Sequence, residues 1–155
     1  MEIMKKSIFA GIAVMLLASA CGGGGNGTAN TDTRTDSIKD LTGNWRIENV
    51  VENDSSYAKP QELTPGEEQY FTFNADSTFS VTTNCNSIQG TYVMNGDSLR
   101  FEPGLMTQMA CDNTKVEDLL RKVMPEVRTI EFENDSTARL NTTSSPSYII
   151  LVKGE

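Results

Sequence analysis

The 155-residue chain carries 13 basic and 21 acidic residues and no histidine, a formal charge of −8. So acidic a chain has no electrostatic reason to approach nucleic-acid phosphates or anionic lipid head groups. Without histidine, Ser-His-Asp and Cys-His nucleophile systems and histidine-based zinc sites are excluded.

The N-terminus reads as an export signal. Lys5 and Lys6 form a positive start, and Ile8 to Leu17 is an apolar run too short to span a bilayer, which takes roughly 20 residues. The residues that follow, Leu17-Ala18-Ser19-Ala20-Cys21, resemble the lipobox of bacterial lipoproteins, in which the cysteine is acylated and becomes the new N-terminus. A plain signal cut after Ala20 is the alternative. The resemblance implies a signal peptide over 1–20, lipidation of Cys21 and membrane attachment through acyl chains, since two or more chains hold stably. Gly22 rather than Asp follows the cysteine, which makes the outer membrane, facing the periplasm, the expected location. A chain beginning at Cys21 has lost Glu2, Lys5 and Lys6 and carries 11 basic against 20 acidic side chains, a charge of −9.

From Cys21 to Asp40 the composition is Gly, Asn, Thr, Asp and Ser, with Ala29 and Ile38 the main apolar residues. That is too little hydrophobic surface to offset ordering entropy, so residues 21–40 read as a tether with a reach of roughly 24 Å. Within it, Asp36-Ser37-Ile38 resembles an O-glycosylation triplet of some bacterial lineages.

Residues 41–155 then make one domain near the commonest domain size. Trp45 and Ile47 alternate in a first strand, and Asn53 to Glu68, with Pro60, Pro65 and Gly66, reads as a loop. Phe71 and Phe73 share a face of a second strand, with Asn74-Ala75-Asp76-Ser77 turning into a third that carries Phe79 and Val81. Gly90–Met94 and Ser98–Glu102 flank Asn95-Gly96, a hairpin signal, and after Pro103-Gly104 the segment Leu105–Ala110 reads as extended. Val116, Leu119, Leu120, Val123 and Met124 recur at helical spacing, with Thr114 and Glu117 as a capping box and Pro125 as the stop. Val127–Glu133, Thr137–Thr142 and Tyr148–Val152 supply three more strands. Short strands at this spacing predict an α+β domain, mainly antiparallel β, a barrel-like or strongly curved sheet with one helix packed against it.

Cys85 and Cys111 are the remaining sulfurs. In an exported protein two such thiols most often pair; the alternative is a reactive thiolate at Cys111 beside a helix start, for which no neighbouring base is available. Pairing fixes the Asn84–Asn86 corner against the helix, from which Asn84, Asn86 and Gln89 can present amides to a ligand or satisfy local backbone groups. The carboxylate pairs Glu67-Glu68 and Glu117-Asp118 read as solvated surface charge, and Asp76, Asp97 and Asp135 as turn residues. No segment has the spacing of a calcium loop, so no metal, cofactor or catalytic set is expected.

Asn84-Cys85-Asn86-x-x-x-Gly90-x-Tyr92, Leu99-x-Phe101 and Thr107-x-Met109-Ala110-Cys111, followed by a helix with Glu117 and Leu120, together resemble the META domain of the heat-shock protein HslJ-like family. Leu41-x-Gly43-x-Trp45 at the start and Leu140 and Tyr148–Val152 at the end fit the same pattern. The resemblance implies a small β domain of bacterial envelope lipoproteins, with links to stress tolerance and no known catalytic set. Three functions compete: a binding or envelope-maintenance module, a carrier of a small apolar ligand, for which Gly43-x-Trp45 is similar to lipocalin-like barrels, and a pilot-like partner in assembly of an envelope protein complex.

Overall fold

The structure is a computed structural model that describes residues 40–143 and 146–154. The signal segment, Cys21, the tether up to residue 39 with its Asp36-Ser37-Ile38 triplet, and Ser144-Ser145 lie outside the described residues.

Alternation sets the architecture. In β1 (Gly43–Asn53) Trp45, Ile47 and Val50 point inward; β3 (Tyr70–Phe73) and β4 (Thr78–Thr82) send in Phe71, Phe73, Phe79 and Val81. β5 (Ser87–Asn95) and β6 (Ser98–Met106) add Ile88, Tyr92, Leu99 and Phe101. β7 (Val127–Phe132), β8 (Thr137–Thr142) and β9 (Tyr148–Lys153) complete an antiparallel meander. β9 pairs back onto β1 from Tyr148↔Val51 to Lys153↔Trp45, so the sheet closes into an eight-stranded barrel. Closure removes most of the exposed strand edge that an open sheet presents.

The polar stretch 53–68 is more structured than a loop. It holds β2 (Ser56–Ala58), an extra strand on the upper half of β1, and a one-turn helix α1 (Pro60–Leu63). Its sequence signal was masked because β2 has three residues and α1 begins on a proline, which is tolerated only in a first turn. The β5–β6 hairpin is set one residue later than Asn95-Gly96 suggests: Asn95 pairs with Ser98, and Gly96, at φ +58°, is the first of the two central residues. β6 also runs through Pro103-Gly104 to Met106, because a bulge opposite Gln89 and Gly90 absorbs the extra residue. Residues 107–110, expected to be extended, form no strand.

The seam of the barrel lies between β6 and β7, which share the single register pair Ser98↔Thr129. The chain between them forms α2 (Lys115–Val123) and a 3-10 turn (Met124–Glu126). α2 lies on β1 and β2, and the 3-10 turn lies on β6. The helical stripe Val116, Leu119, Leu120, Val123 and Met124 is buried, each member at most 4% exposed; at that burial each contributes on the order of 2 kcal/mol. The capping box does not form. Thr114 makes no side-chain cap, its Oγ1 instead contacts Asp118 Oδ2 at 3.0 Å, and Glu117 turns inward.

The barrel interior is filled by the chain itself. Phe71 stacks on Phe73 with centroids 5.6 Å apart, Tyr92 meets Phe73 edge-on at 5.3 Å, and Phe101 meets Phe79 edge-on at 5.0 Å. The polar handles of the large rings are satisfied: Trp45 Nε1 donates to the Leu41 carbonyl at 2.7 Å and the Tyr92 hydroxyl to the Asn74 carbonyl at 3.0 Å.

Candidate functional site

Three segments converge beside the seam: the Thr83–Asn86 corner after β4, the irregular stretch 107–113 after β6, and the first turn of α2. The corner is shaped by Thr83, whose Oγ1 accepts from the Cys85 and Asn86 amides at 3.2 and 2.9 Å and donates to the Asn86 carbonyl at 2.8 Å. This local side-chain turn ends β4 and aims the Asn86 side chain inward.

Asn86 is 3% exposed, and its amide is fully engaged. Oδ1 accepts from the Met109 N–H at 2.7 Å and from Thr107 Oγ1 at 2.9 Å. Nδ2 donates to Glu117 Oε2 at 2.9 Å, to the Met109 carbonyl at 3.2 Å, and points at Cys85 Sγ at 3.3 Å. Asn86 therefore pairs with both backbone groups of Met109 as a strand neighbour would. Glu117, also 3% exposed, keeps Arg121 at 3.3 Å from its other oxygen. A buried carboxylate is costly unless paired and hydrogen-bonded, and this one is both. Its burial corrects the reading of Glu117-Asp118 as a solvated pair; only Asp118 is exposed.

Cys85 and Cys111 are joined, with an S–S distance of 1.99 Å and Cα atoms 6.1 Å apart. Asn84 Nδ2 donates to the Asn113 carbonyl at 2.9 Å. The amides of Asn84 and Asn86 thus serve the 107–113 backbone, whereas Gln89 is exposed on β5, opposite Leu105 of β6. Sequence reasoning named Glu117 but missed its burial, because an acid at the third helical position matches a capping box; the missed signal was that Val116, Glu117 and Leu120 fall on one face.

Apolar side chains point outward at the end of β6 and in the stretch that follows it. Leu105 is 77% and Met109 64% exposed. A groove of about 210 Å³ runs between the end of β6 and α2, lined by Leu105 with Ile88, Pro103, Met106, Leu120 and Met124. Arg121 spans its rim, with Nε 3.1 Å from Met106 Sδ. On the other side of α2 a polar groove of about 400 Å³ is lined by Ser56, Asp112, Thr114, Lys115, Asp118 and Lys122. Beside it, hydrogen bonds from Ser56 and Lys122 hold the Glu52 carboxyl below the usual carboxylate range. Among the described residues no three His, Cys, Asp or Glu side chains converge as a metal site would need.

A family model described as the META domain matches residues 39–152. Among curated protein sequences, none matches the chain. Solved structures match in fold. A DUF4847 family protein from Bacteroides vulgatus ATCC 8482 is 13% identical, with a TM-score of 0.51 over 73% of this chain and 93% of that one. A protein from Burkholderia xenovorans is 16% identical, with a TM-score of 0.58 over 76% of this chain and 85% of that one. A third protein is 13% identical, with a TM-score of 0.53 over 75% of this chain and 91% of that one.

Proposed function

The chain belongs to the META domain family, and on that premise we propose that it is a non-enzymatic lipoprotein of the bacterial envelope whose barrel binds a protein partner. The HslJ-like motifs and the lipobox-like residues ending at Cys21 support the envelope reading, with the outer membrane facing the periplasm as its site and the acyl chains as its anchor. The observation that carries the binding reading is the division of apolar surface. The interior is occupied by the chain's own rings, while the two most exposed large apolar side chains are Leu105, in the lining of an apolar groove, and Met109, four residues further along the chain. A lipocalin-like carrier needs interior space that Phe71, Phe73, Phe79, Tyr92 and Phe101 fill. Presentation of Met109 is pre-organised by Asn86 and the Cys85–Cys111 bridge, which lowers the entropic cost of binding. Its position beside an unpaired stretch of barrel seam also suits a role in assembly of an envelope protein complex.

Site-specific photo-crosslinking in the envelope tests this. Probes at 105 and 109 are expected to capture the same partner protein, and a probe at exposed Glu131 on β7 is not. Capture at 105 is expected to disappear when Met109 is replaced by Asp. Equal labelling from all three positions, or none, contradicts the proposal.

A further inference from the structure

The Cys85–Cys111 bridge has an asymmetry that goes beyond stapling. Cys111 is exposed, on a stretch without regular secondary structure, whereas Cys85 is half-buried in the Thr83 corner. Thiol–disulfide exchange requires in-line access to one sulfur and departure of the other, so access alone selects Cys111 as the atom attacked. The surroundings of Cys85 suit the departing sulfur. Asn86 Nδ2 carries two hydrogens: one is committed to Glu117 Oε2 at 2.9 Å, and the second lies between the Met109 carbonyl at 3.2 Å and Cys85 Sγ at 3.3 Å. That second hydrogen can move onto a sulfur that gains negative charge. Arg121, 3.3 Å from Glu117, offsets the nearby carboxylate. The Met109 carbonyl, 3.4 Å from Cys85 Sγ, is placed to accept an S–H once that sulfur is protonated.

Opening the bridge also leaves the segments it joins in place. Asn86–Met109, Asn86–Thr107, Ser87–Thr107 and Asn84–Asn113 hydrogen bonds cross the same gap. Exchange therefore does not demand unfolding.

We propose that Cys85–Cys111 is a directed thiol–disulfide exchange site, in which an incoming thiolate attacks Cys111 Sγ and Cys85 leaves into the hydrogen bond offered by Asn86. In the first step a new S–S bond forms between the donor and Cys111, the Cys85–Cys111 bond breaks, and its electron pair stays on Cys85, which takes a proton from water. A second thiolate then displaces Cys111 from the mixed disulfide. The donor is oxidised to a disulfide by two electrons, and the protein is reduced to two thiols. The donor class is a thiolate, from either a small thiol or a dithiol protein.

The oxidised full-length protein is tested in two arms, each quenched in acid and mapped by peptide mass. One arm uses limiting reduced glutathione. The other uses a thioredoxin-fold oxidoreductase whose resolving cysteine is replaced by alanine. The proposal predicts a mixed disulfide on Cys111 in at least tenfold excess over Cys85, formed in minutes with circular dichroism unchanged, and the arm that traps it faster identifies the source. An adduct mainly on Cys85, an even split, or a bridge that resists both donors until the protein is denatured would each overturn it.

Discussion

Replacing Asn86 by Ala probes the node that joins all three segments of the site. The substitution removes the donor at 2.9 Å from Glu117 Oε2 and the acceptor at 2.7 Å from the Met109 amide. Glu117 is 3% exposed, so water cannot replace the lost donor without structural opening. A hydrogen bond to a charged group is worth roughly 1.5–3 kcal/mol, and the Met109 amide adds about 1 kcal/mol. The expected loss is about 2.5–4 kcal/mol, large for a single polar substitution. Equilibrium urea denaturation of the oxidised protein measures it as a fall in midpoint at unchanged slope. A double-mutant cycle with Glu117→Gln is expected to give a coupling above about 1 kcal/mol, because the two side chains touch. A loss under about 1 kcal/mol, or a cycle additive within about 0.5 kcal/mol, refutes the view of Asn86 as the clamp.

Three further outcomes are expected of the same fold. Replacing both Cys85 and Cys111 by Ala opens a loop with a sequence separation of 26 and is expected to cost about 3.5 kcal/mol in the chain-entropy model, read by the same denaturation; no change would contradict it. Gly90→Ala places a methyl group against the Glu102 carbonyl and the Phe79 ring, and a loss of about 2 kcal/mol or more is expected. Gly66→Ala, which meets nothing within 4 Å but sits at φ +87°, is expected to cost only about 1 kcal/mol; a reversed order would count against the β5–β6 bulge. Hydrogen bonds from the Thr78 side chain and backbone hold the Asp76 carboxyl below its ordinary range. A carboxylate with a lowered folded-state pKa contributes stability above its unfolded pKa of about 3.9 and loses it as pH falls through the folded value. The thermal midpoint of wild type should therefore exceed that of Asp76→Asn at neutral pH, with the gap closing below about pH 4; a gap constant with pH contradicts this assignment.

The barrel strands were readable because most inward positions alternate strictly: Phe71/Phe73, Phe79/Val81, Leu99/Phe101 and Ile149/Leu151 each mark a face by period two. α2 was readable from its stripe. What the pattern could not carry was anything set by tertiary pairing: closure of β9 on β1, the three-residue β2 whose register depends on β1, and the bulge that lets β6 pass Pro103. The ordered motifs around Asn84–Asn86 and Thr107–Cys111 name two segments that the fold brings together. The role of Asn86 was not legible, since an amide beside a corner satisfies local groups or a ligand equally well. The Thr83 turn, the Met109 backbone and the buried Glu117 opposite it together decide that Asn86 faces inward. Leu105 and Met109 were not legible as a surface, because an apolar residue after a strand gives no sign of its exposure.

The central claim is that this barrel is full and works from its outside. Native mass spectrometry of the protein purified from its own cells without denaturation tests it most directly. The expected mass is that of the oxidised polypeptide with whatever is covalently attached to it and no stoichiometric non-covalent ligand. A lipid or other apolar molecule retained at one equivalent, and released only on unfolding of the barrel, would contradict it.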